Sequence, residues 1–310
     1  MGTSRQAASK NGSVFIFTSS GYQKLKNDRL NSLFLFNPWR TIESIKEIVY
    51  VIRAHSLQKK GHVLHIIINR PEERNAFNVD MLYALSRAYD QLEADSEVRV
   101  GLVYANGKHF TLGLDLKNVA EFLKKQKRFP LPPESVNPWG TTGKTKTKPV
   151  VVAVHGMCIT LGIELMLASE IRIAAKRTLF AQVEVQRGIF PFGGGTMRWP
   201  AQCGWGNAMK YILTGETFES EEALRIGLVQ EVVEKSELIE RGIQLAEKIA
   251  AQAPLGVYAT LKSSLDSVIH GESKAAKDLF PQLLALMETK DAEEGLASFV
   301  EKRNAVFQGQ

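Results

Sequence analysis

The sequence predicts an α/β core followed by a helical C-terminal region, behind a basic N-terminal leader. Three observations predict it. Apolar runs of strand length recur near residues 62, 98, 150 and 171. Segments with apolar residues at helical spacing lie between them. From residue 221 onward the helical spacing continues with only short breaks. Strands that alternate with helices favour a sheet with parallel strands.

Residues 62–69 (HVLHIIIN) read as a strand that stops at Arg70-Pro71. Residues 79–93 place Met81, Leu82, Leu85, Ala88 and Leu92 at helical spacing, with Asn78 as the cap. A second strand covers 98–104 and ends at Asn106-Gly107. A third covers 150–154 and a fourth 171–174, with a helix over 161–169 between them. The strands near 100, 150 and 172 are expected to lie parallel. Residues 124–148 break this rhythm. Lys124, Lys125, Lys127 and Arg128 precede Pro130, Pro132, Pro133 and Pro138, and then come Lys144, Lys146 and Lys148. This reads as a long polar loop, mobile or functional, with the last three lysines as a solvated face. Helices are expected over 221–226, 236–252, 255–270, 275–288 and 292–304, punctuated by Pro254 and Gly271.

The chain has 310 residues, enough for a full core, and its 44% hydrophobic and 23% charged composition is that of a soluble globular protein. Order is expected to begin near residue 45. The division is then a disordered leader over 1–45, an α/β core over 46–250 and a helical region over 251–310. The net charge of +6 misleads as a bulk property. Residues 1–60 carry ten Lys/Arg against three Asp/Glu, which leaves the remainder near neutral. Nucleic-acid binding by the main domain is therefore not expected. The apolar runs 14–17 and 33–36 are far too short to span a membrane. The leader weakly resembles an organelle transit peptide, so a mitochondrion or plastid is the alternative to the cytoplasm. Cys158 and Cys203 form no metal spacing and read as buried, reduced thiols.

The chemistry centres on two glutamates in odd company. Glu164 lies in the uncharged run 156–167, and Glu184 in 179–185, before the glycine-rich 188–195. A carboxylate in apolar surroundings costs several kcal/mol unless it is paired, hydrogen-bonded or protonated. Burial also raises its pKa, which suits proton transfer near neutral pH. Three glycine-marked turns accompany them, at 109–116, 155–164 and 188–195. Where such a turn feeds a helix, free N–H groups favour negative charge, and two aimed at one point form an oxyanion site. No Walker motif, GxGxxG fingerprint, GxSxG elbow or His-Glu-x-x-His helix occurs. Asp115 reads as a helix-start or turn stabiliser, and His109 and His155 as structural histidines.

Six motifs in order make the chain resemble the enoyl-CoA hydratase/isomerase (crotonase) superfamily over roughly residues 47–308. They are Asn69 through Asn78, Phe110 through Leu116, Gly156 through Leu165, Ala181 through Gly188, Gly194 through Arg198, and Ala223 through Val229. Asp291 through Gly295, with Phe299, Lys302 and Arg303, adds a C-terminal match. The resemblance implies a spiral of ββα repeats with a helical C-terminal region that helps build trimers, often paired into hexamers. It implies an acyl-CoA thioester as substrate. Coenzyme A would then be part of the substrate, with no separate cofactor and no metal. The N–H groups of Leu114 and Leu161 would bind the thioester oxygen. Arg74, Ala76, Leu112, Gly113, Asp115 and Leu116 would lie along the coenzyme, and Phe299 and Lys302 would close over it, sometimes from a neighbouring subunit. Glu164 and Glu184 fall on both hydratase positions.

Two departures stand out. Hydratases usually carry Gly-Gly-Gly where this chain has Thr160-Leu161-Gly162, and a leucine at 161 narrows the allowed φ and adds bulk. Phe192, after Pro191, replaces a usual glycine and would shorten the acyl pocket or redirect the second carboxylate. Three functions follow as expectations: a 2-enoyl-CoA hydratase, a 3-enoyl/2-enoyl-CoA isomerase or other enolate-stabilising acyl-CoA enzyme, and a non-catalytic homologue that binds RNA or protein through its leader.

Overall fold

The computed structural model describes residues 55–310 together with three strand segments, 14–18, 21–25 and 49–52. Contacts divide the chain into two units, 1–46 and 47–310. In the first, β1 (Val14–Thr18) pairs antiparallel with β2 (Gly21–Leu25). The rest of the expected disordered leader lies outside the described residues.

The second unit is built on a seven-stranded sheet. Its strands are β3 (Val49–Ile52), β4 (His55–Lys60), β5 (Val63–Ile68), β6 (Val100–Ala105), β7 (Val150–Val154), β9 (Ile171–Ala175) and β12 (Glu231–Val233). Their spatial order is β12-β9-β7-β6-β5-β4-β3. β3, β4 and β5 pair antiparallel, and every pair from β5 to β12 is parallel. The parallel strands β5, β6 and β7 are buried at every position, which explains why they read as apolar runs, with His65 of β5 the buried exception.

A smaller sheet holds β8 (Met157–Ile159), β10 (Leu179–Ala181) and β11 (Phe218–Glu219) in the order β11-β10-β8. The expected spiral follows from how the chain alternates between the sheets. β7 in the large sheet leads to β8 in the small one and then to α3 (Leu161–Leu167). β9 leads to β10, then to a short 3₁₀ turn (Glu184–Arg187) and α4 (Gly195–Cys203). β6 leads to Thr111, which bridges Cys158 of β8, and then to α2 (Leu116–Gln126).

Two apolar layers cover the large sheet. One joins it to α1 (Val79–Ala94), with Leu82, Leu85, Tyr89 and Leu92 fully buried. Asn78 caps that helix by accepting from the Met81 N–H, as the sequence predicts. The other packs β5, β6, β7 and β9 against Leu238, Ala246 and Ala250 of α7 (Leu238–Ala250). The strands near 100, 150 and 172 are parallel, as expected. α5 (Trp205–Thr214) and α6 (Ser220–Arg225) precede β12. The chain ends in α8 (Pro254–His270), α9 (Glu272–Met287) and α10 (Lys290–Glu301). No helix among the described residues is long and apolar enough to cross a membrane.

The polar loop needs correction. Its start, through Gln126, is the C-terminal part of α2. The remainder is docked, with Leu131, Val136 and Trp139 buried. Ser86, Asp90 and Glu93 lie along one stripe of α1 and hydrogen-bond the loop at Val136, Thr147 and Lys148. The solvated lysine face fails for two of three residues. Lys148 is buried and donates Nζ to the carbonyls of Asp95 and Val98. Lys146 pairs with Glu170. A lysine is buried when carbonyls or a carboxylate replace its water, and composition does not reveal such partners. Lys144 stays exposed.

Candidate active site

Three successive turns leave the small sheet side by side. Phe180 is in register with Cys158 and Ala181 with Ile159, while Thr111 bridges Cys158 from the other side. The Thr111 N–H donates to Met157 O, Ile159 N–H to Thr111 O, and Thr160 N–H to Ala181 O. The residues that follow are therefore brought together: Gly113 and Leu114, Thr160 and Leu161, Gln182 and Glu184. Two glycines permit the close approach. A Cβ on Gly113, whose φ is +84°, would meet Thr160 Oγ1 at 1.8 Å. A Cβ on Gly162 would meet Thr111 Cγ2 at 2.4 Å.

Leu161 begins α3, so its N–H has no carbonyl within the helix to bond. Neither its N–H nor that of Leu114 donates to backbone among the described residues. The expected difficulty at Leu161 does not arise. The positive φ falls on Thr160, at 52°, and Leu161 is the first helical residue. Its side chain is buried, against the backbone of Gly193.

Glu164 sits one turn further along α3 and is fully buried. Its Oε1 accepts the Gly195 N–H at 2.9 Å, while Oε2 has no donor at hydrogen-bond geometry, the Gly193 N–H lying nearby without completing a bond. Burial raises its pKa to about 7, against the lowering effect of the Gly195 and Gly193 N–H groups and of Arg198. A Cβ on Gly193 would lie 2.6 Å from Oε2 and 2.8 Å from Leu161 Cδ1, so a larger residue there would displace the carboxylate. Glu184 opens the 3₁₀ turn after β10 and is 7% exposed. Its Oε1 accepts Gln182 Nε2 at 3.0 Å, and its Oε2 is again without a donor. Burial, helped by the negative charge of Glu164, raises this pKa to about 7 as well, against the lowering effect of its own N–H and of Gln182. Two half-satisfied carboxylates thus lie beside two free N–H groups, and the charge of Glu164 acts on Glu184. Such a pair can hold one proton between its members at neutral pH.

Pro191 is buried and Phe192 half-buried, directly before the glycines that hold Glu164. The Phe192 ring meets Phe129 edge-on at 5.5 Å, Phe129 meets Trp139 at 5.9 Å, and Trp139 meets Phe77 at 5.9 Å. Trp139 Nε1 donates to Leu161 O at 2.9 Å, which ties this aromatic row to the start of α3. Phe192 thus packs on Phe129, while Glu184 is oriented by Gln182.

The residues expected along a coenzyme form one neighbourhood. Arg70 donates to Ala76 O and pairs with Asp115 at 3.1 Å. Asp115 also caps α2 by accepting from the Asn118 N–H, which bears out its reading as a helix-start residue. Arg74 and Asn75 both take left-handed φ, and Arg74 is exposed. Asn75 is fully buried and donates to Asn106 O and His109 O. Leu112 is half-buried, Gly113 buried and Leu116 half-exposed. Phe299, on α10, is 82% exposed, and Lys302 is that helix's left-handed cap. His155 donates to or accepts from nothing catalytic, its Nε2 lying 2.9 Å from Gly107 O. Cys158 and Cys203 are buried free thiols.

Sequence reasoning missed Gln182 and Trp139, and it singled out the glycine-rich turn 188–195 without assigning Gly193 and Gly195 to Glu164. The signal for the glycines was the run at 193–195. For Trp139 it was a large aromatic inside an otherwise polar loop.

A family model described as enoyl-CoA hydratase/isomerase matches residues 58–310. A short-chain-enoyl-CoA hydratase from Clostridium acetobutylicum is 34% identical over 262 residues, covering 80% of this chain and 94% of that one. A carnitinyl-CoA dehydratase from Salmonella heidelberg is 32% identical over 263 residues, covering 82% and 98%. The crystal structure of a probable enoyl-CoA hydratase/isomerase from Mycobacterium abscessus matches with a TM-score of 0.80 and 43% identity, covering 83% of this chain and 99% of that one.

Proposed function

The chain belongs to the enoyl-CoA hydratase/isomerase family and has the crotonase fold, and we propose that it hydrates a 2-enoyl-CoA thioester to a 3-hydroxyacyl-CoA. One observation carries this reading: Glu164 and Glu184 each keep one buried oxygen without a protein donor, and both have pKa values raised to about 7. In the proposed reaction those oxygens hold the water that attacks C3. One carboxylate takes a proton from the water, and the other delivers a proton to C2. The pair carries one proton before and after the addition. Negative charge that develops on the thioester oxygen is met by the Leu114 and Leu161 N–H groups, each worth about 3 kcal/mol in such a role. Only water and a proton move, so coenzyme A enters as part of the substrate.

The singly protonated pair is the active form. It is depleted below the pKa range by a second proton and above it by loss of the first. A bell-shaped pH profile of kcat/KM centred near pH 7 is therefore expected. The test is turnover of crotonyl-CoA and longer 2-enoyl-CoAs in heavy-oxygen water. Label at C3 of the product identifies hydration. Consumption of a 3-enoyl-CoA with no hydration at any chain length gives the isomerase reading instead.

Trimer or hexamer formation belongs to the same proposal. It is supported by exposed apolar residues on the terminal helices, among them Phe280 at 66%, Met287 at 62% and Phe299 at 82%. Sedimentation of the full chain measures it. Phe299 and Lys302 would then close over the coenzyme from a neighbour.

A further inference from the structure

We propose that Thr160 is a positioning residue that sets the direction of both oxyanion donors at once. The proposal rests on the oxyanion reading of Leu114 and Leu161. Its first support is backbone geometry. Thr160 has φ 52° and ψ −116°, a region that glycine adopts freely and a β-branched residue does not. Strain of this kind persists only where the surroundings hold it, and it gathers at functional sites.

What holds it is on both sides of the residue. The Thr160 N–H donates to Ala181 O at 3.0 Å, and Thr160 O accepts the Glu164 N–H at 3.1 Å. The ψ of residue 160 rotates the peptide that carries the Leu161 N–H. The strained torsion is therefore the one that aims the second donor.

The side chain acts on the first donor. Oγ1 fills the position that a Cβ on Gly113 would take, with a calculated separation of only 1.8 Å. Gly113 is the residue whose following peptide carries the Leu114 N–H. The threonine backbone thus directs one donor while its hydroxyl end seats the residue before the other. A glycine at 160 would relax the turn but give up this second contact. The strain and the contact have one explanation if the residue fixes the separation of the two N–H groups.

The experiment compares Thr160→Gly, Thr160→Ala and Thr160→Ser in the full-length protein. It uses crotonyl-CoA turnover and the infrared carbonyl stretch of bound butyryl-CoA, which has no double bond to hydrate. Thr160→Gly is expected to melt no lower than wild type, yet to lower kcat about 10- to 100-fold with KM within about threefold, part of the loss that deleting one donor causes. Its bound carbonyl stretch should move back toward the free value. Thr160→Ala keeps the strained turn but lacks Oγ1. It should lose part of the carbonyl shift, and it decides the matter if the glycine variant does not fold. Thr160→Ser retains Oγ1 and should stay within about threefold of wild type by the same reasoning. Full carbonyl shift and wild-type kcat in both the glycine and alanine variants would overturn the proposal. A shifted carbonyl in wild type without hydration of any enoyl-CoA would instead remove the hydratase reading and leave this one standing.

Discussion

Glu164 and Glu170 stand six residues apart, one at the active site and one at the edge of the framework, and the fold completes only one of them. Glu170 precedes β9, accepts the Val150 N–H with one oxygen and Lys146 Nζ with the other. Its neighbour Arg172 is buried, with Nε on Leu228 O and its two terminal nitrogens on Ser169 O and Gly227 O. Glu164 and Glu184 keep one oxygen each unpaired. The framework thus buries charge with its hydrogen bonds satisfied, which favours a single rigid arrangement. The site buries charge half-satisfied, which costs stability and leaves acceptors for substrate and water. Arg172 is as dry as the site carboxylates while Glu170 keeps part of its side chain exposed, so a structural carboxylate differs from a catalytic one here in both its burial and the number of donors supplied.

Substitution sharpens that contrast most where it removes the reactive oxygens. Glu164→Gln and Glu184→Gln should each lower kcat at least about 100-fold, while Glu170→Gln leaves it within about threefold, as expected for general acid–base groups against a structural one. Steady-state kinetics on the three variants decides it, and a large kcat loss in Glu170→Gln would break the comparison. A near-normal Glu184→Gln would favour a one-carboxylate mechanism.

The framework side gives the next effect. Arg172→Met leaves the carbonyls of Leu228, Gly227 and Ser169 without their donor and should cost about 3 kcal/mol of stability. Activity per folded molecule should be unchanged. Urea unfolding paired with active-site titration measures both.

A smaller effect has the opposite sign. Glu164 carries a pKa raised from 4.5 to about 7. The folded state therefore holds a proton that the unfolded state has released between those values, and stability falls as pH rises through that window. Glu164→Gln abolishes this contribution. Allowing for an amide N–H that finds no acceptor, the variant should be about 2 kcal/mol more stable than wild type at pH 8. The gain should disappear at pH 4. Thermal melts across pH test this, and a gain that does not depend on pH would contradict the buried-charge account.

The smallest change separates the aromatic row from the site it supports. Trp139→Phe keeps a ring against Phe77 and Phe129 but deletes the Nε1 bond to Leu161 O, for about 1 kcal/mol. Chemical denaturation would measure it.

Much of this was legible in the chain. The parallel strands were visible because burial on both faces favours apolar residues, as in Ile66, Ile68, Val150 and Val152, although β5 also buries His65. Glu164 and Glu184 were visible because a carboxylate in an apolar run is costly and needs a reason. The three-residue strands β8 and β10 were not, since a strand that short shows no period. α2 was missed because it buries only Val119, and Pro200 disguised α4. The lysines at 146 and 148 were misread because their partners, Glu170, Asp95 and Val98, lie about 20 to 50 residues away in the chain.

By itself, then, the sequence determined which segments must be buried and which carboxylates are out of place, because both follow from local composition and transfer free energy. It also placed the glycines that allow two turns to touch. Only the tertiary structure decided how many donors each buried charge receives. The Gly195 N–H reaches Glu164 from 31 residues away and Gln182 reaches Glu184 from two, while Thr160 takes the strain that composition had assigned to Leu161. Hydrogen-bond supply depends on distance and direction in space, and a linear pattern of residue types carries neither.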